Sequence, residues 1–228
     1  MIGTEAAAFR VDPYPGRRPP WSFVLVGARV VRLGSRQQEG GWQVGDRTQH
    51  TFDEWLSASG AVPMSDRVPV LSYGSNACPS KLVYMRSREG LPGPVVMTRC
   101  VVDGLAATWC TRPRQDGVIT ATLTTHPGEE QHFLWWVAPD QWEALDSCEG
   151  RHSKVYDLVE LTLGAGASVR DEDGNLLPNV FAYVGAAQSR HPRLNDRAAP
   201  LLVRDRQDHP DLGGLSGLRP PQTPGTTP

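Results

Sequence analysis

Val70-Leu71-Ser72-Tyr73-Gly74-Ser75-Asn76-Ala77-Cys78-Pro79 is the stretch on which the fold turns. Residues 68–73 are apolar and β-favouring and predict a buried strand. That strand stops at Gly74-Ser75-Asn76, residue types suited to tight turns and positive φ. Pro79 then stands where a helix begins, because proline fits the first helical turn at little cost. Strand, polar loop and helix in that order aim several backbone N–H groups one way, at the positive end of a helix dipole. Such a loop suits a carboxylate or a phosphate; an ordinary strand-to-helix turn is the competing reading.

Downstream, the helix is expected over about 79–88, and Gly90-Leu91-Pro92-Gly93-Pro94 breaks the chain. Four β-type segments follow at 95–102, 105–110, 118–125 and 133–137, separated by Gly, Pro and Asp at intervals that predict an antiparallel sheet or barrel. Thr120, Thr122 and Thr124 alternate with Ile119, Ala121 and Leu123, so one face is polar or lines a cavity. Pro139 and the acids after it open a helix with Trp142 and Leu145 on one face, and Gly150 supplies a left-handed cap. Segments 154–163 and 176–184 read as two further strands. Between them Asp171-Glu172-Asp173-Gly174-Asn175 carries a hairpin signal; it lacks the acid that closes a calcium loop and is read as a turn.

Upstream, residues 21–33 predict one strand, 36–46 a polar loop, and Thr51-Phe52-Asp53-Glu54 a capping box that opens a short helix ended by Gly60. Residues 1–20, rich in Arg, Pro and Gly, are expected to drape over the surface or stay partly disordered. The division that follows is an N-terminal extension or small subdomain over 1–66, a principal domain over 67–205 and a flexible tail over 206–228.

A net charge of −2 over 228 residues gives no general attraction to nucleic acid or to an acidic membrane. Lys81 and Lys154 are the only lysines among 23 basic residues, a bias of the kind a GC-rich genome produces. Cys78, Cys100, Cys110 and Cys148 show neither CxxC nor zinc spacing, so free thiols are expected. Residues 1–18 lack the apolar core of a signal peptide, and the apolar run at 23–31 is short and broken by Arg29. The expected compartment is a reducing bacterial cytoplasm.

Glu149 is the ionisable residue that stands out. It lies at a helix end beside Cys148, just before Gly150, where partial desolvation would raise its pKa toward that of a general base. A solvated helix-end glutamate is the commoner reading. Cys148 with His152 suggests a thiol and its base, against a simply buried cysteine. Cys78 at a helix start is read the same two ways, and His126 and His132 as surface residues. Lys81 and Lys154 each follow one motif closely and are candidates for the mouth of a cavity, with chance placement as the alternative.

The ordered set of Tyr73-Gly74-Ser75-Asn76, the Gly117–Thr122 strand, the 133–137 strand, Asp146-Ser147-Cys148-Glu149-Gly150 and Tyr156 resembles the γ-glutamylcyclotransferase superfamily over roughly half the chain. The resemblance implies an α+β fold, a small, mostly antiparallel β-barrel flanked by helices, with a substrate cavity between the loop and the glutamate. It implies that the N–H groups of Gly74, Ser75 and Asn76 hold a substrate carboxylate, that Tyr73 shapes the pocket, that Tyr156 donates a hydrogen bond into it, and that Glu149 is the acid/base. The implied reaction releases an amine or amino acid from a γ-glutamyl amide as 5-oxoproline, without metal or organic cofactor; specialised metabolism is one setting for it. The partner implied is the small-molecule substrate, with no nucleic acid or membrane, and a homodimer is left open. Residues 187–192 carry no tyrosine where the family commonly has one, Ala77-Cys78 replaces a longer apolar residue, and residues 1–66 exceed the minimal domain. A non-catalytic binding or scaffold domain, and an aminoacyl-amide hydrolase or transferase using the same pocket, are the alternatives.

Overall fold

A computed structural model describes residues 3–34, 41–44, 51–161 and 167–192. The tail over 206–228, and the end of the principal domain beyond residue 192, lie outside the described residues. Nine strands and three α-helices are described: β1 (Thr4–Glu5), β2 (Phe23–Val26), β3 (Arg29–Arg32), α1 (Phe52–Ala58), β4 (Val68–Ser72), α2 (Pro79–Glu89), β5 (Val95–Trp109), β6 (Ala121–Val137), α3 (Trp142–Glu149), β7 (Tyr156–Glu160), β8 (Ser168–Asp171) and β9 (Phe181–Gly185). None of these helices is long and apolar enough to cross a membrane.

The strands form one sheet in the order β1-β3-β2-β5-β6-β4-β9-β7, with β8 also on β5. β4 and β9 run parallel, and every other pairing is antiparallel. The α+β, mostly antiparallel character agrees with the sequence; the barrel does not, because the sheet is not closed. The outer edge of β5 is taken by β2 at positions 95–97 and by β8 at 100–103, so the sheet extends outward instead of returning to β7.

Other boundaries shift for local reasons. The single strand expected over 21–33 is a hairpin, β2 and β3, turned at Gly27 with φ +57°. Phe23 and Leu25 face one core and Val24 another, so both faces are buried and the sequence shows no alternation. The four segments of the 95–137 region merge into two long strands. Gly104, at φ +79°, is not a turn: β5 runs on through it, and the register shifts between Asp103 and Leu105 because β6 has three residues, 126–128, opposite it. The turn at 171–175 forms: the Asp171 carboxylate accepts the N–H groups of Asp173 and Asn175 at 3.0 and 2.8 Å. It follows β8, a strand the sequence did not announce, and does not join the two strands expected on either side. The capping box on α1 forms with both reciprocal bonds.

α2 and α3 cover one face of the sheet. Leu82 and Met85 from α2 and Ala144 and Leu145 from α3 pack with Phe23, Met97 and Trp135. The opposite face is closed by Leu71, Val102, Leu134, Val169 and Ala182. Gln141 fixes where α3 begins. It is 1 % exposed, and its amide is fully engaged: Oε1 accepts from Trp135 Nε1 at 3.1 Å and from the Ala138 N–H at 3.2 Å, while Nε2 donates to the carbonyls of Pro92 and Pro94 at 3.0 and 3.1 Å. One side chain thereby ties the start of α3 to β6 and to the turn after α2. Replacing it with Leu removes these bonds from Trp135, Ala138 and Pro92 and leaves the Pro94 carbonyl only the Arg67 guanidinium at 3.4 Å, so Gln141→Leu is expected to lower the unfolding free energy by about 3 kcal/mol. Chemical denaturation of the two proteins, with m-values compared, measures this.

Candidate active site

A cavity of about 620 Å³ lies where β4 ends, between α2 and α3. Its walls include Tyr73, Gly74, Ser75, Asn76, Glu149 and Tyr156, so all six residues singled out from the sequence meet in one space.

The loop is held from behind. A 3-10 turn occupies Ser75–Ala77, and the first N–H groups of such a turn have no partner within it. Gly74 is not at positive φ: its φ is −97°. Glycine serves here through close approach: a Cβ would stand 2.9 Å from the Tyr14 hydroxyl oxygen, so one of the two would have to shift. The Arg18 guanidinium donates to the carbonyls of Tyr73 and Gly74 at 2.7 and 3.0 Å. The loop's acceptors are thus bound on one side, behind the turn that starts at Ser75.

Glu149 ends α3, with Gly150 in the left-handed conformation at φ +64° as cap. Asn76 Nδ2 donates to Glu149 Oε1 at 2.6 Å. The surrounding protein strips water from the carboxyl and raises its pKa above the ordinary 4.5; the Asn76 hydrogen bond and nearby Lys81 oppose the rise, and Asp146 adds to it. Burial is the largest of these effects, so the carboxyl is a stronger base than a surface glutamate. Asp146, one turn earlier, is tied down: it accepts from Arg151 at 3.0 Å and from the Tyr183 hydroxyl. Tyr73 in turn donates its hydroxyl proton to the Tyr183 carbonyl. A line of bonds therefore runs from β4 through β9 to α3 and fixes the helix end that carries Glu149.

Tyr156 is placed differently from expectation. Its hydroxyl donates to the Ala121 carbonyl at 2.9 Å and touches Thr120 Oγ1 at 2.9 Å, so its proton is spent on the cavity wall. The Ala121 N–H on the same strand edge is capped by the Tyr14 hydroxyl at 2.9 Å. Tyr14 and Arg18 belong to the segment expected to drape or be disordered. They are instead half-buried against the loop, and the segment is stitched to α2: Ser80 Oγ donates to the Ala6 carbonyl at 2.7 Å and Cys78 Sγ to the Phe9 carbonyl at 3.3 Å. No periodicity or motif marks Tyr14 or Arg18 in the sequence. The available signal was their aromatic and cationic chemistry inside a Pro-rich stretch.

Lys81 lines the cavity, whereas Lys154 is exposed and pairs with Asp157 at 3.5 Å. His132 is buried, against the surface reading, because its Nε2 pairs with Glu130 Oε2 at 2.8 Å inside the sheet. Cys148 is pushed up to about 11, chiefly by burial, and His152 is exposed and faces Glu143. The activated-thiol reading therefore has no support from this geometry. All four cysteines are free thiols. Among the described residues no group of three or more His, Cys, Asp or Glu side chains has the placement to hold a metal ion.

No protein-family model matches the chain, and no curated protein sequence matches it. Solved structures similar to it include a γ-glutamyl cyclotransferase, 16% identical, covering 55% of this chain and 71% of that one, with a TM-score of 0.42. An uncharacterized protein from Homo sapiens is 16% identical over 66% of this chain and 94% of its own, with a TM-score of 0.45. YkqA from Bacillus subtilis is 15% identical over 81% of this chain and 62% of its own, with a TM-score of 0.41.

The raised pKa of Glu149 has a consequence for stability. Above the unfolded value near 4.5 the unfolded chain releases this proton more readily than the folded one, so the group's contribution falls as pH rises through its folded pKa. Gln is neutral, has the same shape and still accepts from Asn76. Glu149→Gln is therefore expected to melt at an equal or higher temperature than the parent at pH 7, with the difference shrinking toward pH 4.5. Thermal scans of both proteins across that range test the sign; a lower melting temperature at pH 7 contradicts it.

Proposed function

We propose that this protein is a γ-glutamyl cyclotransferase-type enzyme that releases an amine or amino acid from a γ-glutamyl amide and forms 5-oxoproline. The observation that carries the reading is the pairing of a desolvated carboxyl, Glu149, with the 74–76 loop across one cavity, joined by the Asn76–Glu149 hydrogen bond. The cavity has the volume for a dipeptide-sized substrate, and both its base and its anion-suited loop line it.

In this reading the loop N–H groups take the substrate's α-carboxylate, and its α-ammonium points at Glu149. The Glu149 carboxylate removes one proton from that ammonium. The freed amine attacks the γ-carbonyl carbon and forms the ring C–N bond through a tetrahedral intermediate. Glu149, now protonated, returns the proton to the departing nitrogen as the original amide C–N bond breaks, and the ring nitrogen sheds its second surplus proton, which the released amine takes up as an ammonium. The products are 5-oxoproline and the free amine; no water is consumed and no electrons change hands. The attack is intramolecular, so the protein's task is to fold the substrate and carry protons from the attacking nitrogen to the departing one. A raised carboxyl pKa narrows the gap to the α-ammonium, near 8 in free peptides, which favours both transfers. Asn76 keeps the carboxyl aimed, and Tyr73 and Tyr156 shape the wall.

Incubation with a panel of γ-glutamyl dipeptides and γ-glutamyl amines, read by mass spectrometry, is expected to give 5-oxoproline from at least one member. Glu149→Gln is expected to lower kcat/KM by about a hundredfold or more. Absence of product across the panel, or full activity in the variant, sinks the reading. The pH profile of kcat/KM should rise as Glu149 loses its proton, with a midpoint above the ordinary 4.5 of a glutamate. An acid limb centred at or below 4.5 is the contrary outcome.

A further inference from the structure

Two tyrosine hydroxyls meet at Ala121 on the cavity wall, and they differ in what they have left to give. Tyr156 donates its proton to the Ala121 carbonyl. Tyr14 accepts from the Ala121 N–H at 2.9 Å, and among the described residues no protein acceptor takes its own O–H. That O–H belongs to a residue lining the cavity. Its position is fixed on three sides: the ring packs on Trp109 with centroids 6.0 Å apart, the oxygen is held by Ala121, and Gly74 leaves room for it where any side chain would collide. The segment bearing it is anchored close by through Arg18, whose guanidinium grips the carbonyls of Tyr73 and Gly74. Gly16, at φ +88°, passes so close to Cys78 that a Cβ there would meet its Sγ at 2.8 Å. Burial also raises the Tyr14 pKa far above that of free tyrosine, so the group stays a donor at every working pH.

We infer that Tyr14 is a substrate-binding residue whose phenolic O–H donates to the α-carboxylate held against Gly74 and Ser75. This rests on the γ-glutamyl reading and adds to it a donor from outside the strand–loop–helix unit. The loop offers backbone N–H groups from one side of the carboxylate, and Tyr14 closes over the other. The segment before β2 is then part of the binding site and not an appendage. A hydrogen bond to a charged group is stronger than one between neutral groups, so its loss is felt in the affinity for carboxylate-bearing ligands.

The test uses two small probes that differ only in that carboxylate: L-glutamine, the simplest γ-glutamyl amide, and 4-aminobutyramide. Dissociation constants are measured by NMR titration on the full chain. The parent protein is expected to bind L-glutamine more tightly than 4-aminobutyramide. Tyr14→Phe is expected to weaken L-glutamine by about ten- to a hundredfold while leaving 4-aminobutyramide within about twofold. Gly74→Ala, whose methyl group meets the Tyr14 oxygen, is expected to give the same selective loss, and it serves if Tyr14→Phe does not fold. An unchanged affinity for L-glutamine in the variants, or equal weakening of both probes, overturns the inference: the first removes the contact, and the second reduces Tyr14 to a structural prop. If the variants are unaffected while the parent still forms 5-oxoproline, the inference falls and the proposed function stands. If the parent binds neither probe and forms no product, both fall together.

Discussion

The 2.6 Å hydrogen bond from Asn76 to Glu149 joins positions 73 residues apart, and much of the architecture serves to make it possible. A carboxyl drawn away from water has to find polar partners or surrender its charge. Here one partner comes from the loop after β4, and the carboxyl itself comes from the last turn of α3. For the two to meet, α3 must start at a defined place, which Gln141 sets, and end at a defined place, which Gly150 and the Asp146–Arg151–Tyr183 cluster set. The helix is short, only eight residues, so little of its own length is available to absorb error at either end.

Tolerances of this kind explain what was legible in the chain and what was not. Pro79, Gly90, Thr51 with Glu54, and Gly150 act through the backbone of their own neighbours, and the elements they delimit appear where their residue types place them. The site residues Tyr73 to Asn76, Glu149 and Tyr156 came together because a strand–loop–helix and a capped helix end are local structures too, and the family resemblance paired them. The long-range decisions were hidden. Asp103-Gly104 reads as a turn, but β5 runs on through it, and the irregularity is carried by residues 126–128 of its partner β6. Closure of the sheet depends on which strand claims the edge of β5, and β8, which takes part of that edge, has no distinctive pattern. His132 read as a surface residue because its partner, Glu130, is buried with it.

The segment before β2 does lie over the surface of the protein, but in an ordered path that its composition does not announce. Its composition is that of a disordered chain, rich in Arg, Pro and Gly. It is ordered by its contacts and not by its own propensity: Ala6 with Ser80, Phe9 with Cys78, Tyr14 with Ala121 and Arg18 with Gly74. Glycine and proline suit such a path, since one allows close approach and the other limits the freedom lost on ordering. Gly74 belongs to this account as well. Its value lies in the side chain it lacks, which admits a hydroxyl from a distant part of the chain to the rim of the loop.

The parallel pairing of β4 with β9 sets an order of events during synthesis. Tyr73 bonds Tyr183 across 110 residues, and Val70 and Leu71 lie beside Phe181 and Ala182. Contacts this far apart in the chain close a large loop before they return any energy, and they form late. Until β9 leaves the ribosome, one edge of β4 carries unpaired N–H and C=O groups beside apolar side chains, open to any other extended chain. The same edge, once filled, supports the loop that lines the cavity. A chain arrested before β9 would thus display an adhesive strand where the finished protein has a binding site, and the abundance of the folded protein depends on how quickly that last third of the sheet arrives.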